Sequence, residues 1–296
     1  MTIRSRAEIA LLSTTMIWAG TFTVLKIGME EISPILLIAI RFLVACLIVL
    51  AFFRRRLFPI EGRSALRGAL LGTFLFLGFA AQNLGLTITT ASKSAFITGM
   101  MVVFVPVLQI VIERRPPKIG NIVGVVLVSI GLWFLTSPSG AGFNAGDALT
   151  LLCALFFALY IVYLDIVSKD VRTERLVFLQ MATTAALSWL AVALFETPLL
   201  VLTTRSVGAL AYLTVLATVF TLSVQTRYQK DTTPTRAVLI FSVEPVIAAA
   251  IAAIVLGETL GPLGMVGGVI ILIGVLLSEL SDQIPALNRS LGMPPS

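Results

Sequence analysis

The chain contains no histidine. That absence removes imidazole acid–base chemistry and imidazole metal ligands. Charge is also scarce. Asp, Glu, Lys and Arg make up 12% of 296 residues, about half of what a soluble domain carries, while apolar residues reach 58% and mean hydropathy is +1.03. Too few polar groups remain to cover a water-facing surface, so the surface must face lipid. Cysteine is limited to Cys46 and Cys153, both inside apolar runs, where they read as packing residues. A Gly-x-x-x-x-Gly-Lys-Ser/Thr motif is missing, and the longest breaks between apolar runs are about a dozen residues. That leaves no room for a nucleotide-binding domain and excludes ATP-driven work within this chain. Period-2 alternation is absent, which argues against a β-barrel.

What is present is apolar length. A helix needs about 20 mostly apolar residues to cross a bilayer. Ten runs of this kind are predicted, at about 8–28, 33–53, 66–87, 92–112, 119–136, 147–167, 175–196, 207–228, 236–256 and 262–280. Turn and charge signals punctuate them, as at Ser33-Pro34, Arg54-Arg55-Arg56 and Pro198. No cleavage-site pattern follows the first run, so it is expected as a retained helix. With the N-terminus placed in the cytoplasm, 17 of the 21 Lys and Arg residues fall in cytoplasmic segments and 3 on the opposite side, with Arg41 inside a span. This bias predicts an even number of spans with both ends cytoplasmic. The net charge of +6 therefore belongs to membrane topology, and no nucleic-acid partner is expected.

The sequence also repeats itself. Gln82–Ala95 and Gln225–Val238 both open with Gln, both carry a Thr-Thr pair, and both end on a basic residue, Lys93 and Arg236, 143 residues apart. Glu113-x-x-x-Pro117 and Glu258-x-x-x-Pro262 follow, each leading into Gly-x-x-x-Gly (Gly120 and Gly124, Gly264 and Gly268). At an offset of 139, Thr14, Trp18, Thr21 and Lys26 fall on Cys153, Phe157, Tyr160 and Asp165. Two five-helix repeats are predicted, 1–137 and 147–281, joined by a periplasmic linker 138–146 and followed by a cytoplasmic tail 282–296. Because five is odd, the second repeat enters the membrane inverted. The basic residues agree: loop 2–3 carries five and its counterpart, loop 7–8, carries one. The expected fold is thus an all-α integral membrane protein of ten transmembrane helices with a 5+5 inverted-topology repeat, a pattern associated with transporters.

These features together, with Phe241-Ser-Val-Glu-Pro-Val-Ile-Ala-Ala249 inside the ninth run, resemble the drug/metabolite transporter superfamily, EamA type. The resemblance covers nearly the whole chain. It implies a carrier of the bacterial inner membrane, often an exporter of amino acids or other small metabolites, with runs 1, 3, 4, 6, 8 and 9 lining a cavity and 5 and 10 peripheral. The family's second helix often has Arg in both halves; here Arg41 fits, but Gln180 occupies the matching place in the seventh run.

Glu244 is the most informative residue, since a mid-span carboxylate costs about 2.5–3.5 kcal/mol and should face a cavity or a partner. It reads as a proton-coupling or substrate-amine site, or as an acid that hydrogen-bonds backbone freed by Pro245. Arg41 is too deep for a loop residue. It reads first as a structural anchor paired with a carboxylate or helix C-terminus, and second as a contact for a substrate carboxylate. Lys93 and Arg236 open the fourth and ninth spans, where positive charge opposes the helix dipole, so they read as phosphate anchors or as mouth charges gating each end. Thr14, Trp18 and Thr21 share one face, as do Phe156, Tyr160 and Tyr163, which suits two walls of one path. Gln82 and Gln225 are polar groups near helix ends. The Gly-x-x-x-Gly pairs are assigned to close helix packing.

The function expected is secondary transport of a small, amino-acid-like metabolite by alternating access, in the export direction and proton-coupled. Alternatives are a uniporter or a carrier of nucleotide sugars or lipid headgroups. A membrane-embedded lipid enzyme is remote, because neither a metal-binding carboxylate cluster nor a nucleophile–base set is apparent. No cofactor or metal is expected; the partners are lipid, the small-molecule substrate and protons.

Overall fold

The computed structural model describes residues 2–114, 119–136, 143–258 and 261–281. The chain is a bundle of helices: α1 (Ile3–Gly28), α2 (Pro34–Leu57), α3 (Gly62–Leu86), α4 (Ala91–Thr98), α5 (Met101–Glu113), α6 (Ile119–Thr136), α7 (Ala145–Val167), α8 (Thr173–Phe195) and α9 (Thr204–Ala211). A π-helix (Tyr212–Phe220) continues into α10 (Thr221–Tyr228), a 3-10 turn (Gln229–Asp231), α11 (Pro234–Phe241), α12 (Glu244–Leu256) and α13 (Pro262–Ser281). Among the described residues eight stretches are long and apolar enough to cross a membrane, and they fall on eight of the predicted runs. Helices α6 and α13 coincide with the other two, although their described apolar stretches, Ile122–Gly131 and Pro262–Ile271, are shorter. Residues 138–142 of the predicted linker and the predicted tail 282–296 lie outside the described residues, as do the side chains of Glu113 and Gly120.

The bundle is inside out relative to a soluble protein. Phe52, Phe195, Val111 and Ile254 stand exposed on its flanks, while Thr14, Arg41, Gln82, Asn83, Gln180 and Gln225 are buried. Such a surface is stable only against lipid, so the chain is a multi-pass membrane protein.

Local chemistry sets the helix ends. Thr90 and Thr233 cap α4 and α11 by accepting the amides of Lys93 and Arg236, the role that short polar side chains fill at an N-cap. Asn144 and Asp147 form a reciprocal capping box at α7. Gly257, at φ 68°, takes the left-handed turn that ends α12.

Helices α2 and α8 lie antiparallel. At one end, Glu196 accepts the amides of Ile35 (2.9 Å) and Leu36 (2.8 Å), and the flanking loops meet through Ile32 and Leu200. At the other end, Arg175 Nε donates to the Leu57 carbonyl at 3.1 Å. Helices α6 and α13 also pack on each other. Their close approach depends on glycine, since a Cβ on Gly131 would stand 2.7 Å from the Gly267 carbonyl. Gly68 and Gly72 serve α3 against α8 in the same way, facing Leu179 and Thr183. This pair therefore packs within the bundle.

Two spans are broken. Backbone turns at Gly99–Met100 and Ser242–Val243 separate α4 from α5 and α11 from α12. Pro245 lacks the N–H that would bind the Phe241 carbonyl, which accounts for the second break. The two breaks are 143 residues apart, the offset of the repeated Gln82 phrase.

Candidate functional site

The breaks bracket a small cavity, about 60 Å³ in volume. Its walls come from α1 (Trp18, Thr21), α3 (Leu75, Phe79, Gln82), the α4–α5 break (Thr98, Met101), α7 (Phe157, Tyr160, Ile161), α10 (Leu222, Gln225) and the α11–α12 break (Phe241, Glu244). These elements are the first, third, fourth, sixth, eighth and ninth predicted runs. Six sequence-predicted residues meet here: Trp18, Thr21, Gln82, Tyr160, Gln225 and Glu244.

Glu244 starts α12 because the Pro245 break ends the preceding helix, and this places its carboxyl midway along the bundle. It is 7% exposed. Among the described residues its carboxyl has no hydrogen-bond or ion-pair partner, so its exposed sliver opens to the cavity. The aromatic walls are fixed by edge contacts, Trp18 on Phe241 at 5.4 Å and Phe79 on Phe157 at 5.0 Å between centroids. Such pairs add stiffness beyond area burial. Gly78 leaves room for the Phe157 ring, to which an added Cβ would come within 2.4 Å.

Six predicted residues stand outside the cavity: Thr14 donates to the Leu11 carbonyl of its own helix at 2.7 Å, and Phe157 takes the place in the wall expected for Phe156. Tyr163 packs edge-on against Phe74 at 6.1 Å. Arg41 is fully buried behind Phe79, its guanidinium 4.7 Å from that ring. Its partner is neither the carboxylate nor the helix C-terminus expected from sequence. Nε donates to Thr218 Oγ1 at 2.5 Å and Nη2 to the Ala217 carbonyl at 3.0 Å. Both acceptors sit in the π-helix, whose wider turn presents mid-helix oxygens to side chains. Trp18 Nε1 donates to the same carbonyl at 3.3 Å, and Tyr212 OH to the Ile17 carbonyl at 2.6 Å, so α1 and α2 are both tied to the π-helix. Gln180, the counterpart of Arg41, instead accepts from Tyr160 OH at 3.0 Å and donates to Thr226 Oγ1 at 3.1 Å.

Lys93 and Arg236 close opposite ends of the bundle. Lys93 Nζ lies 2.5 Å from Asp147 Oδ2, and Thr89 Oγ1 donates to Oδ1 of the same carboxylate at 2.8 Å. Arg236 Nη1 lies 3.1 Å from Glu8 Oε1, beside a hydrogen bond between Thr235 and Gln109. Glu8 and Asp147 escape a sequence reading because acids at span ends are ordinary. The signal was available all the same, since the offset of 139 that carries Trp18 onto Phe157 also carries Glu8 onto Asp147. Glu258, whose partner is likewise invisible in sequence, accepts the amides of Ala91 (3.0 Å) and Ser92 (2.9 Å) and so caps α4 from a distant span. Among the described residues no group of three or more Cys, Asp or Glu is placed to hold a metal.

The model of the EamA-like transporter family matches residues 5–137 and again 144–280. An "Uncharacterized transporter" of Archaeoglobus fulgidus is 32% identical over 94% of this chain and 87% of its own length. "Protein PagO" of Salmonella typhimurium is 21% identical over 95% of each chain. A crystal structure with 17% identity superposes with a TM-score of 0.75 over 98% of this chain and 99% of its own, which speaks for the fold alone. The cavity is aromatic-walled and mostly apolar with a few polar groups, and the chain that encloses it belongs to the EamA-like transporter family, a membrane transporter of the drug/metabolite type.

Proposed function

We propose that this chain exports a small, amino-acid-like metabolite across the cytoplasmic membrane by alternating access, in exchange for protons carried on Glu244. Both termini are cytoplasmic, so the Lys93 end faces outward and the Arg236 end inward. The chain spans the membrane ten times as two inverted five-helix repeats.

Three features support the repeat. The family model matches each half separately. The breaks at Gly99–Met100 and Ser242–Val243, and the pairs Lys93–Asp147 and Arg236–Glu8, follow the same offsets as the sequence repeat. The loop around Leu57–Glu61 meets Arg175, whereas its counterpart around Leu200 meets Glu31–Ser33 at the far end of α2, as inversion requires. Two copies of one bundle that exchange conformations interconvert outward-open and inward-open states of similar energy.

The observation that carries the mechanism is the isolated Glu244 carboxyl in the cavity wall, lying between the Lys93–Asp147 and Arg236–Glu8 ion pairs. A single carboxyl that takes either a proton or a substrate group, but not both, couples the two fluxes. The test uses purified protein in liposomes. Wild type moves substrate faster under an imposed pH gradient. Glu244→Gln inserts and folds but loses that response, by about 10²-fold in the gradient-driven rate if the site carries one obligatory proton. A Glu244→Gln variant with wild-type pH dependence refutes proton exchange at this residue.

A further inference from the structure

We propose that the cavity selects an organic ammonium group, and that it takes monoamines in preference to the zwitterionic amino acids or acids of the same carbon skeleton. This inference rests on the carrier reading above and departs from its amino-acid-like substrate class, keeping the ammonium group and dropping the carboxylate.

The argument is a count of donors and acceptors in the wall. Trp18 spends its N–H on the Ala217 carbonyl, Tyr160 spends its hydroxyl on Gln180, and Thr21 donates to the Trp18 carbonyl at 2.6 Å. Gln225 turns its amide N–H inward to Gln229 Oε1 at 2.9 Å and leaves its own Oε1 buried without a partner. Thr98 Oγ1 is likewise buried and unpartnered. With the Glu244 carboxyl added, the readily ionised group of the described lining is an acid. Among the described residues, the neutral donors left in the lining are the Gln82 amide and the Thr98 hydroxyl, neither of which carries a charge.

Among the described residues no lysine or arginine lines the cavity. The nearest deep cation, Arg41, lies behind the Phe79 ring with its Nε and Nη2 committed to the π-helix. A substrate carboxylate would therefore enter without a counter-charge, beside the carboxyl of Glu244. A substrate ammonium meets that carboxyl and a wall built with the aromatic rings of Trp18, Phe157 and Phe241, a side-chain type that attracts cations. An unpaired ionised group in a desolvated wall costs enough to decide between the classes.

Full-length protein in liposomes is assayed for saturable counterflow with two matched series: phenethylamine, phenylalanine and 3-phenylpropionate; isoamylamine, leucine and 4-methylvalerate. The expected result is amine exchange with half-saturation at least about tenfold below that of the matching amino acid, and none for the acids. Gln225→Leu, which keeps the carboxyl, weakens amine exchange by about three- to tenfold. Glu244→Gln abolishes it. Should Glu244→Gln fail to give a monodisperse protein, the two series on wild type and the Gln225→Leu variant still decide the matter. Exchange of an amino acid or an acid at equal or lower half-saturation than its amine overturns the ammonium assignment and leaves the carrier reading standing. Absence of saturable exchange throughout overturns both for substrates of this size.

Discussion

The two ends of this bundle are closed by the same chemistry at unequal depth. At the Lys93 end the carboxylate of Asp147 is 0% exposed, Lys93 is 14% exposed, and Thr89 and the Asn144 amide complete the carboxylate's hydrogen bonds. Lys26 adds a further tie, donating to the carbonyls of Leu86 at 3.1 Å and Thr89 at 2.6 Å. At the Arg236 end the charges are reversed in exposure: Arg236 is 5% exposed and Glu8 21%, with Arg4 Nε sharing the Glu8 carboxylate at 2.8 Å. The residues correspond position for position, so the difference is one of environment and not of design. Separating a buried pair strands charge in a dry site, whereas water replaces the partner of a wetter one. In this conformation the Lys93 end is therefore the more costly to open.

Breaking the deeper pair gives the largest effect. Asp147→Asn removes the charge and keeps the shape, leaving the Lys93 ammonium without its buried counter-ion. The expected loss is about 3 kcal/mol, the lower end for a severed buried pair because Lys93 retains some contact with solvent. Unfolding titration in mixed detergent micelles reads it. In liposomes of known orientation, half-saturation measured from the Lys93 side moves by about tenfold while the other side moves little. Equal shifts from both sides would mean that this pair anchors the fold without gating an end.

Glu8→Gln is the matching change at the other end; the carboxylate it removes is already partly hydrated, but it leaves Arg236, only 5% exposed, without that partner, so the expected loss is about 1–3 kcal/mol, approaching that of Asp147→Asn. Its sidedness is opposite, with the Arg236 side responding more. Salt separates the two further, because an exposed carboxylate is screened and a buried one is not. Raising ionic strength weakens the closure made by Glu8, Arg4 and Arg236 before that made by Asp147 and Lys93. A larger stability loss from Glu8→Gln than from Asp147→Asn would reverse the ranking of the two ends.

Sequence reading reached one partner of each pair and missed the other, for a physical reason. Lys93, Arg236 and Glu244 are conspicuous because they are charges at or inside apolar runs, where charge is expensive. Trp18, Tyr160, Gln82 and Gln225 stood out by polarity and by their place in the repeat, and all four line the cavity. Glu8 and Asp147 lie where a span meets the interface and where acids need no explanation. The π-helix was illegible altogether. Tyr-Leu-Thr-Val-Leu-Ala-Thr-Val-Phe contains no Gly or Pro to announce it. What accompanies the wider turn is tertiary, the donors of Arg41 and Trp18 converging on one carbonyl from two other helices. The break at Gly99–Met100 was hidden in a similar way, because glycine is common in membrane helices and does not by itself mark an interruption.

The smallest test compares the caps that position the two basic residues. Thr90 and Thr233 occupy the same place in the repeated phrase and accept the amides of Lys93 at 3.1 Å and Arg236 at 3.3 Å. Replacing an N-cap threonine by alanine costs about 1 kcal/mol. The two sites are not equivalent, however, because Pro234 follows Thr233 whereas Ala91 follows Thr90. Proline at the first helical position is already set at the helical φ and has no N–H to satisfy. Thr90 also serves a helix whose first amides are held by Glu258 from another span. Thr90→Ala therefore loosens a junction at which α4, α7 and α12 meet, and Thr233→Ala trims a helix start that proline keeps in place. The expected order of destabilisation is Thr90→Ala above Thr233→Ala, by a few tenths of a kcal/mol, read in the same micellar titration. Equal losses would assign the whole inequality of the two ends to the ion pairs, and the reverse order would show that the proline does not preorganise α11.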